Sequence, residues 1–195
     1  MSGYTPDELV EMLMPYFMPR GGGGGWELIE AQHLDVGDGT FSFTSIPATY
    51  SHLQLYGNLR SDLNAEQDDV NLRMNNDSGA TKYAWFWGDR RNAATFGEDT
   101  SDSQLEFGEI DAITATAGCF SQVEITLLGY ADTNIQKYLR GRSTAYGDLS
   151  AATDFKISQL SGLWKDATTI NRIDVYPAAG TDFKQYSSLY LYGIT

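Results

Sequence analysis

Two histidines, His33 and His52, and one cysteine, Cys119, are the whole stock of imidazole and thiol groups in a chain of 195 residues. They do not make a convincing zinc site of ordinary His and Cys ligands, so neither a metal nor any other cofactor is expected. A lone cysteine excludes an internal disulfide, and its neighbours Gly118 and Phe120 offer no base to activate it, so Cys119 reads as a buried thiol. No serine lies in a nucleophile elbow and neither histidine sits in a motif that marks a general base. Both histidines read as ordinary strand residues.

Carboxylates are the remaining source of chemistry. Two of them facing each other across a groove could hydrolyse a glycosidic bond. Glu106 and Glu109 with Asp111 come nearest to such a group, and they read more simply as solvated charges at a strand end. The stretch 97–103 has the oxygen-rich composition of a calcium loop without the ligand spacing of an EF-hand, and reads as a solvated loop. No catalytic residue is therefore assigned, and the chain is expected not to be an enzyme. Tyr83, Trp85 and Trp87 alternate along one segment, so a strand there projects all three rings from one face. Such a face can fill a core, seal a subunit interface or receive a glycan. Arg90 and Arg91 beside it could pair with carboxylates of a neighbouring subunit.

The elements that must position these groups are short β-type runs separated by Gly, Asn, Asp and Ser. Strands are expected near 26–34, 40–44, 52–60, 70–75, 83–87, 104–107, 121–131, 135–146, 154–160, 169–176 and 187–194. Alternation is clearest in Leu53, Leu55, Gly57, Leu59, in Val70, Leu72, Met74, and in Val123, Ile125, Leu127. Turns are expected at 75–79, where several residues tolerate positive φ, and at 132–134, where a hairpin would join two long strands. No helical run separates the strands, which argues against βαβ units and for an all-β antiparallel sandwich, a jelly roll above all, or else a barrel, occupying residues 26–195.

The first twenty residues differ in character. Thr5, Pro6 and Glu8 form a helix start, and Leu9, Met12, Leu13, Tyr16 and Phe17 then follow the spacing of one apolar face. Pro15 shortens the helix, and five glycines at 21–25 form a linker. The expected layout is an arm at 1–20, a linker at 21–25 and a domain at 26–195. A short amphipathic helix needs a surface for its apolar stripe, which could be its own domain or a partner reached across the glycines.

With 26 acidic against 13 basic residues, the formal charge is −13 and nucleic acid is not an expected partner. No run of about 18 apolar residues is present, so membrane insertion by a helix is not expected. Residues 1–20 lack the charge order of a signal peptide, which leads to an expectation of synthesis in the cytoplasm.

From Gly25 to Thr195 the chain resembles the jelly-roll domains of tailed-bacteriophage virion proteins. The likeness runs through Trp26-Glu27-Leu28-Ile29, Phe41-Ser42-Phe43-Thr44, Leu72-Arg73-Met74-Asn75, Val123-Glu124-Ile125 and Ser188-Leu189-Tyr190-Leu191-Tyr192-Gly193-Ile194. It implies a virion structural protein: a homotrimeric capsid decoration or cement protein docked through the N-terminal arm, or a head- or tail-fibre tip binding a host glycan or surface receptor. A carbohydrate-binding or glycan-cleaving lectin-like protein is the third expectation.

Overall fold

The computed structural model describes residues 25–90, 94–148 and 155–195. Among them twelve strands follow one another: β1 (Trp26–His33), β2 (Phe41–Thr44), β3 (His52–Leu59), β4 (Gln67–Met74), β5 (Tyr83–Arg90), β6 (Ala94–Asp102), β7 (Leu105–Asp111), β8 (Ser121–Leu128), β9 (Lys137–Ala145), β10 (Lys156–Trp164), β11 (Arg172–Pro177) and β12 (Ser188–Ile194). They form an eight-stranded sheet, β1-β12-β3-β8-β9-β10-β5-β6, and a four-stranded sheet, β2-β11-β4-β7. Every pairing between these strands is antiparallel. The all-β, jelly-roll-like sandwich expected from the sequence is the observed architecture. The residues expected on an arm helix, Leu9, Met12, Leu13, Tyr16 and Phe17, and the glycines up to 24 lie outside the described residues.

Period-two alternation explains how the sheets meet. Val123, Ile125 and Leu127 of β8 are buried while Gln122 and Leu128 are exposed. Leu53 and Leu55 of β3, Leu139 of β9 and Leu160 of β10 extend the same inward face. The smaller sheet answers with Phe41, Phe43, Leu72, Phe107, Ile173 and Val175, all in one buried cluster. Each such aliphatic or aromatic side chain contributes about 1.5–3 kcal/mol by leaving water.

One element departs from the sequence reading. The polar stretch 97–103, expected as a loop, is largely the body of β6, hydrogen-bonded to β5 from Arg90↔Ala94 to Tyr83↔Asp102. Its composition suits its place at the sheet edge, where acidic and hydroxyl side chains discourage pairing with another chain. Glu98 and Thr100 point to solvent. The turn after β4 does use positive φ, at Asn75 (49°) and Asn76 (56°). Asp77 then fastens it, accepting from the Gly79 N–H at 3.0 Å and from the Trp164 indole N–H at 2.9 Å.

Two buried cations organise the loops. The Arg60 guanidinium, just beyond β3, donates to the carbonyls of Thr116, Cys119, Ile113 and Ala115 at 2.8–3.2 Å. It thereby gathers the whole connection between β7 and β8. Lys137, 1% exposed, donates to the carbonyls of Asp132, Ile135 and Ala167. Burial pushes its ammonium below the usual lysine range. Replacing Arg60 with Met takes the guanidinium from four carbonyls, of which that of Thr116 keeps the Cys119 N–H. The expected cost is about 2–4 kcal/mol, read as a lower urea midpoint at unchanged slope, and a midpoint equal to wild type would contradict this role.

Candidate functional site

The outward face of the larger sheet carries a polar array that no run of sequence contains. Register builds it. In one row Gln54 pairs with Thr126, Thr126 with Arg140, Arg140 with Ser161 and Ser161 with Phe86. In the next, Tyr56 pairs with Glu124, Glu124 with Arg142, Arg142 with Gln159, Gln159 with Gly88 and Gly88 with Phe96. Opposed residues on one face lie close enough to touch, so six strands deliver one surface.

Hydrogen bonds fix part of it. The Thr126 hydroxyl donates to Gln54 Oε1 at 2.8 Å, and Gln54 Nε2 donates to Glu124 Oε1 at 3.0 Å. Arg142 closes the chain, donating to Glu124 Oε2 from Nε at 2.7 Å, with Nη2 at 2.6 Å. Gln54, 4% exposed, is held from both sides, which sets the carboxylate of Glu124 in one orientation. Beyond Gln159 the row drops to Gly88, which has no side chain to raise the surface. Past that gap Phe86 and Phe96 stack, ring centroids 6.1 Å apart and planes 16° off parallel, and both are largely exposed. The result is a groove of about 850 Å³ with an Arg/Glu/Gln wall and an aromatic wall, within the size range of ligand sites.

The aromatic strand foreseen in the sequence is β5, but its alternation puts the named rings on the other face. Tyr83 is fully buried, and Trp85 and Trp87 pack against the core. Trp87 leans over Gly97 of β6, where a Cβ would meet the indole. The core reading of Tyr83, Trp85 and Trp87 therefore holds for Tyr83 outright, and the ring offered to solvent is Phe86, between them. Arg90 closes β5, and Arg91 lies outside the described residues. His33 lies edge-on to Tyr190, with centroids 5.1 Å apart, and His52 Nδ1 accepts from the Gly129 N–H at 3.2 Å. Cys119 is half-buried.

The carboxylates expected as solvated charges are instead drawn inward, because β5 and β10 of the larger sheet floor the free edge of β7. Asp111 is fully buried, its Oδ1 accepting from the N–H groups of Tyr146 (2.7 Å) and Gly147 (2.9 Å). Glu106 and Glu109 line a niche of about 60 Å³ with Asp69, Asp89, Trp87 and Ser158. Lys156 answers two of the acids, pairing with Asp89 at 2.6 Å and with Glu109. Burial, then the charge of Asp102, pushes the Glu106 carboxyl up. Asp69 is driven furthest, to about 7, first by burial and then by the charges of Glu106 and Glu109. A niche this small falls well below the roughly 300 Å³ at which ligand pockets begin. Among the described residues no cluster of His, Cys, Asp and Glu is arranged to hold a metal ion.

No family model and no curated protein matches the chain. Among solved structures, galectin LEC-6 of Caenorhabditis elegans is similar over 85% of this chain and 95% of its own, at 6% identity and a TM-score of 0.33. A single-site variant of congerin II is similar over 80% of this chain and 99% of its own, at 11% identity and a TM-score of 0.32. The expectation of a capsid decoration protein or fibre tip is corrected here: the two solved structures named above are galectin LEC-6 and congerin II, neither of them a phage virion protein.

The niche makes a prediction about pH. Folding raises the Asp69 pKa from 3.8 to about 7, so the folded chain holds this proton more tightly than the unfolded chain does. The resulting stability is complete below about pH 4 and is lost as pH rises through about 7. Asp69→Asn is accordingly expected to match wild type near pH 4 and to exceed it at pH 8 by roughly 1–3 kcal/mol. Thermal denaturation of both proteins at the two pH values checks this, and a stability difference that does not change with pH would contradict it.

Proposed function

We propose that this chain is a non-catalytic carbohydrate-binding domain whose ligand lies across the outer face of the eight-stranded sheet, between the Arg142–Glu124–Gln54 array and the Phe86–Phe96 pair. A saccharide presents hydroxyls at fixed spacing around the ring and an apolar C–H face. Planar side chains that donate or accept through two atoms match the first, and an exposed aromatic ring matches the second. The observation that carries the reading is the internal hydrogen-bonding of Thr126, Gln54, Glu124 and Arg142. Side chains already locked in place lose little freedom when a ligand arrives.

Two facts support binding without cleavage. Glycoside hydrolysis uses two carboxyl groups flanking the scissile bond, and among the described residues the groove is lined by Glu124 and Asp89 alone of that kind. Asp89 is buried against Lys156, and both oxygens of Glu124 are engaged.

A glycan array probed with the wild-type domain, followed by calorimetric titration of the best ligand, tests the proposal. Glu124→Ala releases Gln54 and Arg142 together and is expected to weaken binding at least about tenfold while the far-ultraviolet circular dichroism stays that of the folded sheet. A wild-type domain that retains no glycan, or a Glu124→Ala variant that binds as tightly as wild type, would overturn it.

A further inference from the structure

We infer that the saccharide carries an anionic group, a carboxylate or a sulfate, and that Arg140 receives it; this rests on the carbohydrate reading above and makes it more specific. Arg140 stands on β9 in the middle of the groove, exposed, between Thr126 on one side and Ser161 on the other. Among the described residues no carboxylate answers it. Its diagonal neighbour Glu124 is engaged at both oxygens, Oε1 by Gln54 and Oε2 by Arg142. Along its own strand the flanking outward residues are Tyr138 and Arg142, and across β10 they are Gln159 and Ser161. Glu98 shares its row but lies beyond Ser161 and Phe86. That is three strand spacings, ~14 Å, past the distance at which salt screens an exposed pair.

Two other arginines of this acidic chain do pair with a carboxylate. Arg142 holds Glu124 and Arg172 holds Asp174. A guanidinium left open at the centre of a groove is thus a vacant fork of donors, of the geometry that binds carboxylate or sulfate through two parallel N–H bonds. Gln159 and the Ser161 hydroxyl, neither engaged by another described residue, add donors beside it. Phe86 is two strands away, ~10 Å, so the anion and the stacked C–H face belong to different sugar residues. An acidic oligosaccharide fits this spacing, and an acidic monosaccharide does not span it.

The test is an array of matched sets in which the same glycan is present in neutral, carboxylate-bearing and sulfated form, probed with wild type, Arg140→Gln and Glu124→Ala. Wild type is expected to favour an acidic member over its neutral counterpart by about tenfold or more, with that preference falling as salt is raised. Which acid is preferred separates the carboxylate from the sulfate. Arg140→Gln is expected to remove the preference, lowering binding of the acidic glycan more than binding of its neutral counterpart, whereas Glu124→Ala weakens both alike. Equal retention of neutral and acidic forms by wild type, or a preference that survives Arg140→Gln, overturns the anion assignment and leaves the carbohydrate reading standing. Retention of no glycan of any kind overturns the carbohydrate reading, and the anion assignment with it.

Discussion

The contact between Phe107 of β7 and Gly141 of β9 is the constraint on which the outer face depends. Any Cβ at position 141 would overlap the Phe107 ring and approach the Glu124 carbonyl. The ring of the smaller sheet therefore seats against bare backbone of the larger one, and β9 can take one register only. Because side chains alternate, fixing Gly141 inward turns its neighbours Arg140 and Arg142 outward. A slip of one residue would send both guanidinium groups into the core beneath Phe107. The apolar packing of one face and the polar chemistry of the other are thus a single arrangement.

Electrostatics follow the same division between inside and outside. Inside, charge is tolerated where backbone or an opposite charge answers it: Arg60 and Lys137 gather carbonyls, and Lys156 sits among acids beneath β7. Outside, the array around Glu124 is a closed chain of donors and acceptors, which sets positions without using the donors of Arg140 and Gln159. Rigid neighbours and open donors in one groove are what a recognition surface needs. The acidic niche holds the opposite arrangement, with repelling carboxylates and little room, and its consequence is a pH-dependent stability.

The fold was legible where period-two alternation is strong, as in β3, β4 and β8. It was illegible at β6, whose acidic and hydroxyl residues have the composition of a loop and become a strand because β5 offers them an edge. The aromatic strand was read correctly as a strand with one aromatic face, yet the sequence does not say which face is inward. Phe86, hidden between larger rings, was passed over for that reason. The candidate site was almost wholly invisible. Gln54, Glu124, Thr126, Arg140, Arg142 and Gln159 follow no linear spacing, and only the cross-strand register of four strands brings them together. The two glutamates singled out early did converge, but with a lysine and with too little space for a substrate. The resemblance to virion proteins rested on strand texture, which many sandwiches share.

The central claim is that the outer face of the eight-stranded sheet is the binding surface. Mapping backbone amide chemical shifts during titration with the best glycan tests it most directly. The account predicts that the largest changes fall at Glu124, Arg140, Arg142, Gln159 and Phe86, with β2, β4, β7 and β11 undisturbed. Changes concentrated on those four strands, or around Asp69 and Glu106, would contradict it.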